Sequence, residues 1–269
     1  MFWSLARIVP RQRKIKEEPS MSPTVPAPQS SRPFSRDGIK LAAMLTMACN
    51  HFAAALLPAQ GIAYEVLTDI GYFTAVTMCF FLVEGFRYTH SRKAYALRLL
   101  VFGVAAQPVY MLALSIGQLN MLFTLMLCFL MLWVMDRVQS RALRAAAVFF
   151  LAMATVFCDW PLLAACYTLL FAWAEGRPRR QAFAFLSAAA LFFCFNYSNY
   201  SYLGMAPVQA GLHAGLSCVG ILVAGAVLLL GYNGRRSAFA LRHPSLTQYF
   251  FYLFYPGHLA VLAICRALL

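Results

Sequence analysis

Residues 37–58 read DGIKLAAMLTMACNHFAAALLP, and this run decides the fold class of the chain. Its charged residues, Asp37 and Lys40, stand at one end, and a histidine, His51, stands well inside it. The rest is mainly apolar over about 20 residues, which is the length that an α-helix needs to cross the hydrocarbon core of a bilayer. The run therefore predicts a transmembrane helix.

The charged residues and the histidine of this helix lie on one face, with two methionines between them. Asp37, Lys40, Met44, Met47 and His51 follow one another at intervals of three and four, so they share one face of the helix. Lys40 and His51 lie roughly 16 Å apart along the axis, at about 1.5 Å per residue. An imidazole inside a membrane span is costly and marks a functional site by default. We predict that His51 performs chemistry and that Lys40 helps to hold an anion near the cytoplasmic face.

The composition excludes a soluble globular domain. Hydrophobic residues make up 62% of the chain and charged residues only 12%, whereas soluble domains carry about 25% charged residues. The alternating pattern of a membrane β-barrel is absent, so we predict an all-α, polytopic helical membrane protein. The net charge of +13 is interpreted as a topology signal and a contact with membrane lipid rather than with nucleic acid. The eight Cys residues are scattered singly, so neither a metal site nor a disulfide framework is indicated.

Nine transmembrane helices are predicted, with the N-terminus in the cytoplasm. The apolar segments are 39–58, 69–87, 96–116, 119–135, 143–158, 160–174, 181–197, 207–230 and 246–268. Of the 22 Lys and Arg residues, all but Arg266 fall in the N-terminal region or in every second loop with its flanking span ends. This alternation fixes the orientation, because cytoplasmic loops carry the excess of positive charge. Residues 1–36, rich in Pro, Ser and basic residues, are predicted to form a disordered cytoplasmic tail.

Three polar residues are predicted to meet near the middle of the bilayer. His51 and His258 each lie about 12 residues past the inner end of their spans, which gives them matching depths at about 1.5 Å per residue. Gln107, which precedes Pro108, reaches a similar depth. We predict that His51, His258 and Gln107 form the catalytic group. Either histidine could instead serve only as a hydrogen-bond partner between helices or to carbonyls freed near a proline.

Other polar residues are placed around this group as secondary candidates. A basic collar at the cytoplasmic face is predicted to bind an anion, although some of its members could serve only to fix the orientation. Its members are Lys40, Arg87, Arg92, Lys93 and Arg98. The remaining candidates are Asn50, Glu84, Asn120, Asp159 and Tyr255. Glu84 could equally form only a surface ion pair with Arg87, three residues on.

Several stretches, taken together, resemble TraX-type conjugal-transfer proteins over about residues 37 to 269. These stretches are 37–40 (DGIK) with 43–44 (AM) and 51–52 (HF), then 81–86 (FLVEGF), 91–93 (SRK) and 95–100 (YALRLL), then 120–125 (NMLFTL), and finally 254–259 (FYPGHL). The resemblance implies a TraX-like transmembrane domain over 37–269, in the bacterial inner membrane and within a wider group of multi-span acyltransferases. The best-known TraX protein acetylates the N-terminus of the conjugative pilin.

Acyltransferases of that wider group carry a basic residue and then a histidine in their first span. The resemblance implies that Lys40 and His51 are the matching residues in this chain. Two departures from the family pattern stand out. Family members often have Asp directly before the first-span histidine, where this chain has Asn50, and an acid before the proline of the third span, where it has Gln107. Both changes remove a carboxylate that would orient an imidazole. Glu84 or Asp159 could replace it only if the fold brings one of them close.

The resemblance and the residues together predict acetyl transfer from acetyl-CoA to a pilin or another envelope acceptor. In this hypothesis the collar binds the phosphates of the coenzyme, His51 acts as general base, and His258 and Gln107 donate hydrogen bonds to the oxyanion. A covalent acetyl-His51 intermediate is an alternative route. The rival functions are a small-molecule transporter and a non-catalytic assembly factor for pili or envelope structures.

Overall fold

The computed structural model describes residues 32–59 and 61–269, and the predicted all-α class is confirmed for these ranges. Ten α-helices follow one another: α1 (Arg36–Leu56), α2 (Ile62–Tyr88), α3 (Arg92–Leu114), α4 (Met121–Arg137), α5 (Arg141–Ala154), α6 (Leu163–Ala174), α7 (Pro178–Tyr202), α8 (Pro207–Ala226), α9 (Ala238–Arg242) and α10 (Pro244–Leu268). A 3₁₀ turn, Thr155–Phe157, extends α5, and a π turn, Val227–Gly231, extends α8. Most of the predicted tail, residues 1–31, lies outside the described residues.

Six of the described helices are long and apolar enough to cross a membrane, so the chain is a membrane protein. They are α1, α2, α3, α7, α8 with its π turn, and α10. The other three predicted spans coincide with α4, α5 and α6, which have 17, 14 and 12 residues. These helices are shorter than a typical span of about 20 residues, so nine crossings remain a prediction. The cytoplasmic position of the N-terminus is a prediction from the charge pattern alone. Helix α9, which has five residues, was not predicted at all.

Local sequence signals explain where the helices begin. The side-chain oxygen of a Ser or Asn accepts a hydrogen bond from a first-turn N–H group at five helix starts, which satisfies a donor that the helix itself leaves free. These capping residues are Ser35, Ser91, Asn120, Ser140 and Ser237. Proline occupies the first turn of α7, α8 and α10, where its missing N–H group costs nothing.

The packing brings the first and the last long helix into contact. Helix α2 is central and packs against α1, α8 and α6, while α10 packs against both α3 and α1. Helices α1 and α2 approach closely where Gly71 faces Asn50, since a Cβ atom at Gly71 would lie 2.2 Å from the Asn50 Cβ. Asn50 also donates from Nδ2 to the Thr68 carbonyl at 3.0 Å. The contact of α10 with α1 places the first and last long helices side by side.

The contact between α2 and α8 makes a first testable prediction. A Cβ atom at Gly220 would lie 2.5 Å from the Asp69 carbonyl oxygen and 2.9 Å from the Phe73 nitrogen. Both atoms belong to backbone, which cannot move aside cheaply, so we expect Gly220→Ala to destabilise the protein by about 1–3 kcal/mol. Thermal unfolding followed by circular dichroism in detergent measures this change.

Gly215, on the same helix, provides the matched control because a Cβ atom there would meet nothing within 4 Å. Gly215→Ala should be neutral or stabilise the protein by up to about 1 kcal/mol, through the higher helix propensity of alanine. Equal melting temperatures for Gly220→Ala and the wild type would contradict the close α2–α8 contact.

Candidate active site

The site is built around a pair of histidines from opposite ends of the chain. His51 of α1 and His258 of α10 lie side by side, with their Nδ1 and Nε2 atoms, respectively, 2.7 Å apart. The ring planes differ by only 5° and the ring centroids are 5.1 Å apart, so the rings meet edge to edge in nearly one plane. His51 is 7% exposed. The structure therefore brings together the two imidazoles for which the sequence predicted a common depth.

The hydrogen bonds of this pair assign its tautomers. His258 Nδ1 lies 2.8 Å from the carbonyl oxygen of Phe254, which can only accept, so Nδ1 carries the hydrogen. In a neutral imidazole the other nitrogen is then an acceptor, so His258 Nε2 accepts from His51 Nδ1. His51 Nε2 is left with a free lone pair. This nitrogen is the one that can take a proton from a substrate.

A cavity of about 240 Å³ adjoins His51. Its walls come from the second half of α1, the first half of α2, the end of α3 and the turn before α6, and they include Asn50, Tyr110, Asp159 and Trp160. These elements lie away from the basic helix ends, so we call it the outer cavity. It gives a ligand a place to reach His51 from that side.

Asp159 is the carboxylate that shares this cavity with His51. The turn that carries it is fixed by two backbone hydrogen bonds, from the Asp159 N–H to the Leu119 carbonyl at 2.7 Å and from Thr124 Oγ1 to the Asp159 carbonyl at 2.6 Å. Burial disfavours the charged carboxylate and raises the pKa of Asp159 to about 6. At neutral pH the group is still mostly ionised. It therefore supplies a negative charge in the cavity that His51 lines.

Glu84, the other acid considered from the sequence, belongs to the opposite end of the bundle. Its carboxylate accepts hydrogen bonds from the Tyr232 hydroxyl at 2.8 and 3.0 Å, and Arg36 Nε lies 3.8 Å away. These contacts hold the end of α2 against the start of α1 and the π turn. Of the two acids, Asp159 is thus the one that lines a cavity together with His51.

Tyr255 lies on the same turn of α10 as His258 and faces His51. Its ring is edge-on to the His51 ring, with centroids 6.1 Å apart. The side chain is buried, and its hydroxyl group has no hydrogen-bond partner among the described residues. A buried hydroxyl without a partner beside an imidazole is a candidate donor to a developing oxyanion.

The structure corrects the role predicted for Gln107. Its Nε2 donates to the Gln118 carbonyl at 2.9 Å, and its Oε1 accepts from the Asn120 N–H and the Asn120 Nδ2 at 2.9 and 2.8 Å. Asn120 itself is buried and caps α4. Gln107 and Asn120 therefore join α3 to the start of α4, and among the described residues neither forms a hydrogen bond with His51 or His258.

A second cavity, of about 500 Å³, lies at the basic helix ends, and we call it the inner cavity. Of the predicted collar it contains Lys40 and Arg98, and it adds Arg36 and Arg236, which sequence reasoning missed. Lys40 Nζ lies 5.6 and 5.5 Å from the centroids of the Phe81 and Phe251 rings. Their faces stabilise the ammonium group without neutralising it.

The rest of the predicted collar does not line the inner cavity. Arg87 forms an ion pair with Glu175 at 3.0 Å. Arg92 pairs with Asp136 and lies 4.1 Å from the centroid of the Phe86 ring. Lys93 is exposed at the start of α3 and is not part of the inner-cavity wall. The sequence shows each positive charge but not the carboxylate that neutralises it.

The histidine pair lies between the inner and outer cavities. Along α1, Lys40 lines the inner cavity and His51 the outer one, about 16 Å apart at 1.5 Å per residue. Along α10, Tyr252 lines the inner cavity and His258 follows about 9 Å further on. The arrangement can bring two ligands, one from each side, to the same pair of imidazoles.

Comparisons with known proteins bear on the whole of this bundle. A family model described as TraX protein matches residues 35–266, which include both histidines. A probable fimbrial assembly protein, FimC of serogroup H1 from Dichelobacter nodosus, is 32% identical over 250 residues, which make up 88% of this chain and 97% of that protein. No solved structure matches the chain.

Proposed function

Because this chain belongs to the TraX family, we propose that it is an acetyltransferase of the bacterial inner membrane, which uses acetyl-CoA to acetylate a pilin or another envelope acceptor. The single observation that carries the proposal is the His51–His258 pair, whose hydrogen bonds leave a ring nitrogen with a free lone pair on a residue that lines the outer cavity. A buried interhelical contact alone would not need a free imidazole nitrogen beside a cavity.

The inner cavity is suited to the donor. Coenzyme A is polyanionic, and the cavity combines the positive charges of Arg36, Lys40, Arg98 and Arg236 with the single negative charge of Asp37. Its deeper wall is apolar and includes Met78, Leu99, Leu122 and Leu125, which suits the pantetheine arm. A donor bound in this way directs its thioester along α1 and α10 toward the histidines.

The transfer then follows from the assigned tautomers. His51 Nε2 takes the proton from the amine or hydroxyl of the acceptor while that group attacks the thioester carbonyl carbon. The Tyr255 hydroxyl stabilises the oxyanion, and Asp159 places a negative charge in the outer cavity that His51 also lines. The carbon–sulfur bond breaks, and His51 returns the proton to the departing thiolate. His258 holds the His51 ring in the productive orientation through Nε2.

The acceptor enters from the outer cavity. A space of about 240 Å³ is below the range of about 300–1,000 Å³ that holds drug-sized ligands. It therefore fits a chain end or a single headgroup rather than a folded domain. This size suits an acceptor that presents one exposed amine or hydroxyl group to the membrane.

A second candidate function is a non-catalytic factor for fimbrial or pilus assembly. It is favoured by the printed name of the relative from Dichelobacter nodosus, which describes an assembly protein. The two functions make different demands on the histidines. An assembly factor would keep its function after both His51 and His258 are replaced, whereas the acetyltransferase would not.

Deletion of the gene tests the proposal directly. We expect mass spectrometry of pilins and envelope polymers from the deletion strain to show the loss of an acetyl group from one acceptor. A plasmid-borne wild-type gene should restore that mass, and a His51→Ala gene should not. Identical acetylation with and without the gene would refute the proposed activity.

A further inference from the structure

A third cavity lies beside the inner cavity at the basic helix ends. It has a volume of about 610 Å³. We infer that it receives the adenosine end of the donor, so that acetyl-CoA spans two adjoining cavities. This inference rests on the proposed function and assigns a binding site to the nucleotide. We call the space the nucleotide cavity.

The two cavities share part of their walls. Arg36, Tyr88 and Arg236 line both the nucleotide cavity and the inner cavity. Arg36 belongs to the first turn of α1, and Arg236 precedes α9. A ligand can therefore extend from one cavity into the other past these two guanidinium groups. An extended molecule such as coenzyme A needs a path of this kind.

The charges differ between the cavities in a way that orders the parts of the donor. The inner cavity combines four cationic side chains with one carboxylate, Asp37. The nucleotide cavity has four arginines but two carboxylates, Glu84 and Glu175, which pair with Arg36 and Arg87. Phosphates are thus favoured at the border and in the inner cavity. A neutral base is the better fit for the more balanced nucleotide cavity.

The walls of the nucleotide cavity have the chemistry that a purine requires. Phe80, Phe171 and Tyr232 supply aromatic surface, with the Phe80 ring centroid 5.6 Å from that of Phe171 and 6.4 Å from that of Tyr232. Gln181 and Asn233 supply amides that both donate and accept hydrogen bonds. Adenine presents flat apolar faces and an edge that carries both donors and acceptors, which matches this combination.

The two shared arginines are placed to hold the diphosphate. Arg36 Nε is buried and has no hydrogen-bond partner among the described residues, with the Glu84 oxygen 3.8 Å away. Arg236 is exposed, and its Nε lies 4.0 Å from Asp37. Guanidinium groups bind phosphate oxygens in a bidentate manner. Between them, the diphosphate would leave adenine on one side and the pantetheine arm on the other.

Two acyl donors test the inference on the full-length protein in nanodiscs. Acetylpantetheine lacks the nucleotide, so only acetyl-CoA can use the nucleotide cavity. We expect Gln181→Leu and Arg236→Gln each to raise KM for acetyl-CoA by about tenfold, toward the KM for acetylpantetheine. Arg141→Gln is the control, because Arg141 is exposed at the start of α5 and lines neither cavity. It should leave both KM values unchanged.

The outcomes separate this inference from the proposed function. An unchanged KM for acetyl-CoA in both variants would overturn the inference and leave the acetyltransferase in place. No transfer from either donor would refute the proposed function, and direct binding then decides the inference. Calorimetry with adenosine 3′,5′-bisphosphate should show binding to the wild type that Gln181→Leu weakens about tenfold. Absence of that binding, or its displacement by phosphatidylglycerol at equal concentration, would overturn the inference in favour of a lipid headgroup.

Discussion

His51→Ala is expected to lower acetyl transfer by about 10³-fold or more, because general-base catalysis contributes typically 10²–10⁴-fold. The variant removes the one nitrogen of the histidine pair whose lone pair is free, Nε2 of His51. Without it, the acceptor must attack with its proton still bound. The defect should appear in kcat, while KM for acetyl-CoA stays close to the wild-type value, since the proposed donor site includes Lys40 and Arg98 in the inner cavity and not His51.

The measurement is release of free CoA thiol by the purified protein in nanodiscs. His51→Asn is the matched control for folding, because an amide can donate toward His258 Nε2 but cannot act as a base. We expect His51→Asn to melt at the wild-type temperature and to be as inactive as His51→Ala. Normal turnover by either variant would show that His51 is not the base.

The positions of the long helices could be predicted because they depend on local properties of the sequence. Apolar runs such as 39–58 and 246–268 satisfy their backbone hydrogen bonds internally, whatever lies beside them. The depth of a residue then follows from its distance to the end of its span, which is why His51 and His258 were predicted at one height. Whether their helices are neighbours depends on the tertiary fold. The structure places α1 beside α10 and joins the two rings.

The roles of other polar residues could not be predicted because their partners come from distant parts of the chain. Gln107 was predicted at the depth of the histidines, but its amide binds Asn120 and the Gln118 carbonyl across the α3–α4 connection. Arg92 is matched by Asp136, and Asp37 receives a hydrogen bond from the Ser237 N–H. The sequence shows that such a residue is charged but not which group pairs with it. Only the fold shows which charges remain available to a ligand.

The position of Asp159 could not be predicted either, because it also depends on the tertiary fold. From the sequence it was one acid in a turn between two short apolar runs, about a hundred residues from His51. The fold places it in the wall of the outer cavity, which His51 also lines. Asn50 itself holds α1 against α2 through the Thr68 carbonyl, a bond that an aspartate could not donate.

His258→Ala is expected to lower kcat by about 10²-fold or more. When the partner that fixes the tautomer of an imidazole base is removed, kcat falls by this factor or a larger one. In the wild type His258 Nε2 accepts from His51 Nδ1, and the Phe254 carbonyl fixes the tautomer of His258. Removing the ring leaves His51 free to carry its hydrogen on Nε2, the position where the acceptor must give up its proton. KM for acetyl-CoA should not change.

Two further variants separate this positioning role from a general loss of stability. His258→Gln can present a carbonyl oxygen to His51 Nδ1, so it should recover part of the lost kcat. His243→Ala, in an exposed residue between α9 and α10, should behave as wild type. The double variant His51→Ala with His258→Ala should be no slower than His51→Ala alone, since His258 acts only through His51. Multiplied losses in the double variant would show that His258 contacts the reacting groups directly, and unchanged fimbrial or pilus assembly in cells that carry the double variant would favour the assembly factor.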